Sequence, residues 1–192
     1  MKNFIGLFAL AITLVFGVSA ASAQMAMAEK GDGNPMVGGA AMYKTKNIVE
    51  NAVNSKDHTT LVAAVQAAGL VDTLSSKGPF TVFAPVNSAF AALPAGTVET
   101  LLKPENKATL AKILTYHVIA GNFSSKDVVK AIKKGNGKAE FTTVAGGKLT
   151  AMLDGSSVVL MDEKGGKSRV TIADVKQSNG VIHVVDAVLL PN

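Results

Sequence analysis

The chain predicts an α+β fold with a mostly antiparallel sheet, on two observations. Apolar residues recur at helical spacing through the first half, and after Gly135 the period shortens to that of strands separated by turn residues. Helices gathered at one end and strands at the other argue against alternating βαβ units, which would build a parallel sheet. No internal repeat divides the chain, so it reads as one module.

Taken in order, Lys2 and the apolar run Phe4 to Val18 followed by Ala21-Ser22-Ala23 have the pattern of a secretory signal peptide over residues 1–23, with cleavage after Ala23. A second small-residue site lies at Ala26-Met27-Ala28. The apolar run, about 15 residues, is shorter than the roughly 20 that cross a bilayer as a stable helix, so export is expected rather than anchoring. Gln24 to Met42 is rich in Ala, Met and Gly and shows neither period. Residues 24–44 are therefore expected to form a flexible tether to a domain at 45–192.

Two short helices are expected between Thr45 and Leu74. Ile48, Val49, Ala52 and Val53 share one apolar face, and Leu61, Val62, Val65 and Ala68 another. Asp57 is placed to cap the second helix, Gly69 to stop it, and His58 falls in its exposed first turn. Phe80 to Ala84 is a strand closed by Pro85. Asn87-Ser88 can cap a short helix through Leu93, and Thr97 to Leu102 and Pro104 to Leu114 read as further helices, Pro104 suiting a first helical position. LTYHVI then hands the chain from helix to strand. After a helix at Ser124 to Ile132, the runs FTTV, KLTAML, SVVLMD, SRVTIADV and GVIHVVDAVLL are strands, parted by Gly146-Gly147, Asp154-Gly155, Gly165-Gly166 and Asn179-Gly180.

Composition removes several classes of function. There is no cysteine, which excludes disulfides, thiolate metal sites and a cysteine nucleophile. The net charge of +5 falls by one when Lys2 leaves with the leader. With Arg169 the only arginine, no tryptophan and the lysines dispersed apart from Lys133-Lys134, nucleic-acid recognition is not indicated. Gly166-Lys167-Ser168 resembles the end of a phosphate-binding loop, but Met161 stands where its first glycine should be, and a strand follows. No nucleophile elbow occurs, since Gly155-Ser156-Ser157 lies in a turn. His58, His117 and His183 are far apart and lack metal-ligand spacing, and His183 alternates with Ile182 and Val184 as a core residue would. Asp154, Asp162 and Asp174 mark strand ends and turns without a calcium-loop pattern. Asn122-Phe123-Ser124 matches a glycosylation acceptor and is read as a loop. No enzyme, cofactor or metal is expected.

Three segments carry a resemblance: GPFTVFAPVNSAFAALP (Gly78 to Pro94), LTYHVIAG (Leu114 to Gly121) and SNGVIHVVDAVLLP (Ser178 to Pro191). In this order the chain from Thr45 to Asn192 is similar to a fasciclin, or FAS1, domain, and most like the small, single-domain exported members found in bacteria. The resemblance implies a wedge-shaped β-sandwich with several short helices mainly from the N-terminal half. It also implies a secreted, periplasmic or extracellular protein that is non-catalytic and serves adhesion to a cell surface, a matrix component or itself. In animal matrix members a Tyr-His pair and an Asp-Ile pair are linked to integrin binding. Tyr116 and His117 match the first, and Asp174-Val175 occupies the place of the second with valine for isoleucine.

Two questions stay open at this level. At a helix-to-strand junction, adjacent side chains take different faces, so at least one of Tyr116 and His117 points inward, which favours architecture over direct recognition. The alternative function is a periplasmic protein binding a small lipid or saccharide, suggested by the wealth of Val, Leu and Ala and the missing anchor.

Overall fold

The structure, a computed structural model, describes residues 33–192; the expected signal peptide, its cleavage site and the start of the expected tether lie outside the described residues. Part of the segment expected as tether is folded. Strands β1 (Met36–Val37) and β2 (Ala40–Ala41) pair as a hairpin, and Val37 and Met42 are buried in the core. The small residues that hide any period here include Gly38, whose Cα lies against Ser55 and Lys56 with no room for a Cβ.

The helical spacing becomes α1 (Ile48–Ala52), α2 (Thr59–Ala68) and α3 (Val71–Ser75). Gly69 ends α2 at φ 70°, a left-handed conformation that side-chain-bearing residues resist. Strand β3 (Phe80–Pro85) leads into α4 (Asn87–Ala91), α5 (Thr97–Leu101) and α6 (Lys107–Tyr116). After β4 (Val118–Ala120) and α7 (Ser125–Lys134) come β5 (Lys138–Thr142), β6 (Lys148–Asp154), β7 (Ser157–Met161), β8 (Lys167–Gln177) and β9 (Gly180–Val185).

Seven strands form one sheet in the order β4-β3-β9-β8-β7-β6-β5. All its pairings are antiparallel except β3 with β9, which run parallel from Phe80 opposite Gly180 to Pro85 opposite Val185. Strand β8 bends the sheet into two halves. Its start pairs with β7 and the rest with β9, across bulges between Val170 and Val175.

The alternation along β9 divides the interior. Ile182 and Val184 meet Val82, Ala84, Val118 and the apolar faces of α1, α2 and α6 in one core. Val185 joins Phe83, Ile119, Leu149, Leu160, Val128 and Ile132 in a second, between the two sheet halves and α7. With both faces covered, every residue of β9 is buried.

Several local expectations are corrected by tertiary packing. Asp57 lies inside a 3-10 turn (Lys56–His58) and caps nothing. His58 is buried, because that turn tips its ring into the helical core. Asn87 does not cap its own helix, whose first flanking residue is Val86. Its side-chain oxygen instead accepts from the Thr60 N–H at 3.0 Å, capping α2 from across the fold. Pro104 opens a 3-10 turn before α6 rather than the helix itself. Asp174 lies within β8, at a bulge, not at a strand end.

Asn179 shows how a turn residue can staple the layers. Its oxygen accepts from the Ile48 N–H at 3.0 Å, and its nitrogen donates to the Leu74 and Ser76 carbonyls at 2.8 and 2.9 Å. Asn179→Ala is expected to destabilise the protein by about 2 kcal/mol, since three backbone groups lose their partner. Urea unfolding checks this, and a loss below about 0.5 kcal/mol would show that water replaces the amide.

Candidate functional site

The end of α6 and the bulge of β8 hold the four residues that the resemblance nominates. Tyr116, His117 and Val175 are 0%, 2% and 0% exposed, and in this conformation they offer a partner no surface. Asp174 is partly exposed.

Tyr116 and His117 take different faces, and both faces are interior. The Tyr116 ring enters the core between the sheet halves, and the His117 ring faces the helical core. The rings meet edge to face with centroids 6.5 Å apart. The Tyr116 hydroxyl donates to the Lys148 carbonyl at 2.5 Å and accepts from the Glu163 N–H at 3.3 Å, tying β6 to the β7–β8 turn. Burial pushes this hydroxyl up to about 12, against the effect of the Glu163 N–H. Gly147 packs flat on the ring, where a Cβ would stand 2.8 Å from Cε2. Tyr116→Phe keeps the ring and is expected to cost about 1.5 kcal/mol for the two lost hydrogen bonds, read as a lower urea midpoint at unchanged slope.

His117 clamps two segments, the end of α6 and the C-terminal segment. Its own N–H turns back to the Leu114 carbonyl, so the Ile113 carbonyl at the helix end is left for the ring, and Nδ1–H donates to it at 2.8 Å. On the other side Nε2 accepts from the Leu189 N–H at 3.0 Å. The two bonds fix the neutral Nδ1–H tautomer. Burial lowers the pKa, with the Ile113 carbonyl and Asp162 acting in the opposite sense. The same C-terminal segment is held by Asp162, which accepts from the Leu190 N–H at 2.9 Å, and by Ser168, whose hydroxyl exchanges bonds with Ala187.

Asp174 sits at φ 60°, a conformation that a short polar side chain tolerates better than most. Its carboxylate accepts from the Ser125 N–H at 2.7 Å and from the Ser125 hydroxyl at 2.5 Å, at the first turn of α7. Burial would raise this carboxyl, but the Ser125 bonds together with nearby positive charge, including Lys176, hold it below its ordinary value. The Asp174 N–H donates to Nδ1 of His183 at 3.3 Å, and His183 Nε2–H donates to the Phe123 carbonyl at 2.8 Å. His183 is therefore a neutral core residue stacked on Phe83, with its pKa lowered by burial. Ser125, Asp174 and His183 are neighbours without forming a relay. The hydroxyl proton goes to the carboxylate, and neither ring nitrogen faces a hydroxyl.

His58 differs from the other two. Nδ1 lies 2.9 Å from the Ser55 hydroxyl, and Nε2 has no hydrogen-bond partner. The ring helps line an apolar cavity of about 60 Å³ bounded by Val37, Met42, Ile48, Leu61 and Val82. That volume accommodates a few water-sized spheres and is far smaller than a pocket for a lipid chain. Among the described residues no three His, Asp or Glu side chains converge as metal ligands, and no helix is long and apolar enough to cross a membrane.

Sequence reasoning missed the partners that make these residues matter. Ser125, Ser168 and the Ile113 carbonyl carry no motif, and only Ser125, following the Ser124 cap, sits where a helix start draws acceptors.

A bent, mostly antiparallel sheet backed by helices, with Tyr116, His117 and His183 buried in its cores, defines a structural module of the fasciclin type. The chain belongs to the fasciclin domain family, whose model matches residues 56–191. It is 44% identical over 191 residues to protein sll1483 of Synechocystis, covering 100% of this chain and 99% of that one. It is 37% identical to the immunogenic protein MPB70 of Mycobacterium bovis, over 73% of this chain and 66% of that one. Against transforming growth factor-beta-induced protein ig-h3 of Sus scrofa the identity is 38%, over 68% of this chain and 17% of that much longer protein. The fold also matches the FAS1 domain pair of the insect cell adhesion molecule fasciclin I, with a TM-score of 0.67 at 19% identity, covering 76% of this chain and about half, 51%, of that one.

Proposed function

We propose that this protein is a non-catalytic, exported interaction module that makes contacts with a cell surface, a matrix component or another copy of itself. The observation that carries the reading is the commitment of its reactive side chains. Both ring nitrogens of His117 and of His183 are bonded to the backbone, and the Tyr116 hydroxyl is bonded to two backbone groups. No free base or nucleophile remains at Tyr116, His117 or His183, and what the fold offers a partner is its outer surface. The relation to a cell adhesion molecule supports the same class of role. Tyr116, His117, Asp174 and Val175 serve that role by holding the surface in shape.

Binding of the purified chain to envelope fractions, to matrix preparations and to itself tests this, beside native mass spectrometry of the same sample. Saturable binding at micromolar concentration by a ligand-free protein is the expected result. A co-purifying lipid or saccharide with no surface binding would move the assignment to small-ligand carriage.

A further inference from the structure

Along the chain the lysines look dispersed, but the helix gathers them. Lys126, Lys130 and Lys133 fall at i, i+4 and i+7 of α7, about 10 Å from first to last along the axis. With Ser125 and Val129 they line an open groove of about 400 Å³. All three are exposed, as are Lys134 and Lys138 just beyond. None of the five is in an ion pair among the described residues, where the pairs are Lys148 with Glu140 and Arg169 with Asp154. The one acid on the helix, Asp127, lies beside Lys130 and is engaged in the capping box of Ser124, accepting from the Ser124 N–H and hydroxyl at 3.0 and 2.6 Å. The helix is braced behind the lysines. Val128 and Ile132 are buried in the second core, and Asp174 grips Ser125.

We propose that this lysine face of α7 is a docking surface for a linear acidic polysaccharide, one bearing carboxylates or sulfates along its length. The proposal rests on the interaction-module reading and names its partner. An unpaired row of ammonium groups fits a row of anions. The apolar side of α7 is already used in the core, so nothing remains to enter a bilayer. The groove holds neither arginine nor an aromatic ring, so nucleic-acid bases have nothing to stack on. Asp174 is then a positioning residue for this face.

The test compares the purified chain with Lys126→Gln/Lys130→Gln/Lys133→Gln and with a charge-matched control, Lys44→Gln/Lys56→Gln/Lys103→Gln. Both must show the wild-type thermal midpoint. Probes are polygalacturonate, dextran sulfate, neutral dextran and phosphatidylglycerol vesicles. Wild type is expected to bind the two acidic polymers and not neutral dextran, more weakly as salt rises. The α7 variant should lose about tenfold in affinity and the control less than about twofold. Absence of polymer binding, equal loss in both variants or preference for the vesicles would overturn the proposal. Binding to envelopes, matrix preparations and itself, measured alongside, separates the two claims: if wild type binds any of these but not the polymers, only this proposal falls, and if it binds none of them nor the polymers, both do.

Discussion

Replacing His117 by alanine lowers stability by about 4 kcal/mol, which for a domain of this size moves the thermal midpoint down by roughly 10 to 15 °C. Two effects add. Removing a buried ring leaves a void where the end of α6 meets the C-terminal segment, and it strands the Ile113 carbonyl and the Leu189 N–H. Each stranded backbone group costs about 1 to 3 kcal/mol when no water reaches it. His117→Phe separates the terms. It restores volume and not the hydrogen bonds, so it should recover the cavity part alone, about half of the loss. A drop below about 1 kcal/mol in the alanine variant would mean that the clamp is dispensable. The same experiment bears on recognition. If His117→Ala reduces surface binding only at temperatures where it unfolds, the pair acts through the fold. Loss of binding in a fully folded variant would make the ring itself a contact.

How much of this was legible in the sequence depended on the range of the interaction. The α+β class followed from periodicity, and the motif order pointed to the family, because apolar spacing and turn residues are local signals. His183 also read correctly as core, since alternation with Ile182 and Val184 is local too. His58 did not. Its neighbours spelled an exposed first turn, and only the 3-10 turn before α2, packed under the β1–β2 hairpin, puts the ring inside. Asn87 was recognised as a cap but assigned to the wrong helix, because the N–H group it satisfies lies 27 residues away, on α2. Asp174 was located by resemblance, yet its partner Ser125 is 49 residues distant and no spacing rule links them. The lysine face was hidden for the opposite reason: its spacing is local, but a tally along the chain does not sort residues by face.

The protein should lose stability as pH falls below about 6.5. His58, His117 and His183 all have folded-state pKa values below the ordinary 6.5, in each case chiefly because burial disfavours the charged ring. The sign follows from proton binding. Below 6.5 the unfolded chain takes up protons that the folded chain refuses, so unfolding becomes easier as pH falls. The stabilisation is complete above 6.5 and disappears through the interval down to the folded values. Geometry explains the refusal at two of the rings. A proton on Nε2 of His117 would face the Leu189 N–H, and one on Nδ1 of His183 would face the Asp174 N–H, donor against donor. All three histidines act in the same direction, against a total stability of about 5 to 15 kcal/mol typical of a domain. Asp174 adds a separate loss only when pH falls below its ordinary value of 3.8, because its folded carboxyl is held lower still. Urea midpoints at pH 7.5, 6.5 and 5.5 measure the effect, and a flat profile would sink it. His58→Leu sharpens the test, since this ring has an unpartnered nitrogen in an apolar surrounding and leucine fills similar space. The variant should match wild type within about 1 kcal/mol at pH 7.5 and gain on it as pH falls to 5.5. If the gap between the two proteins does not change with pH, His58 is not among the groups that set the acid limit.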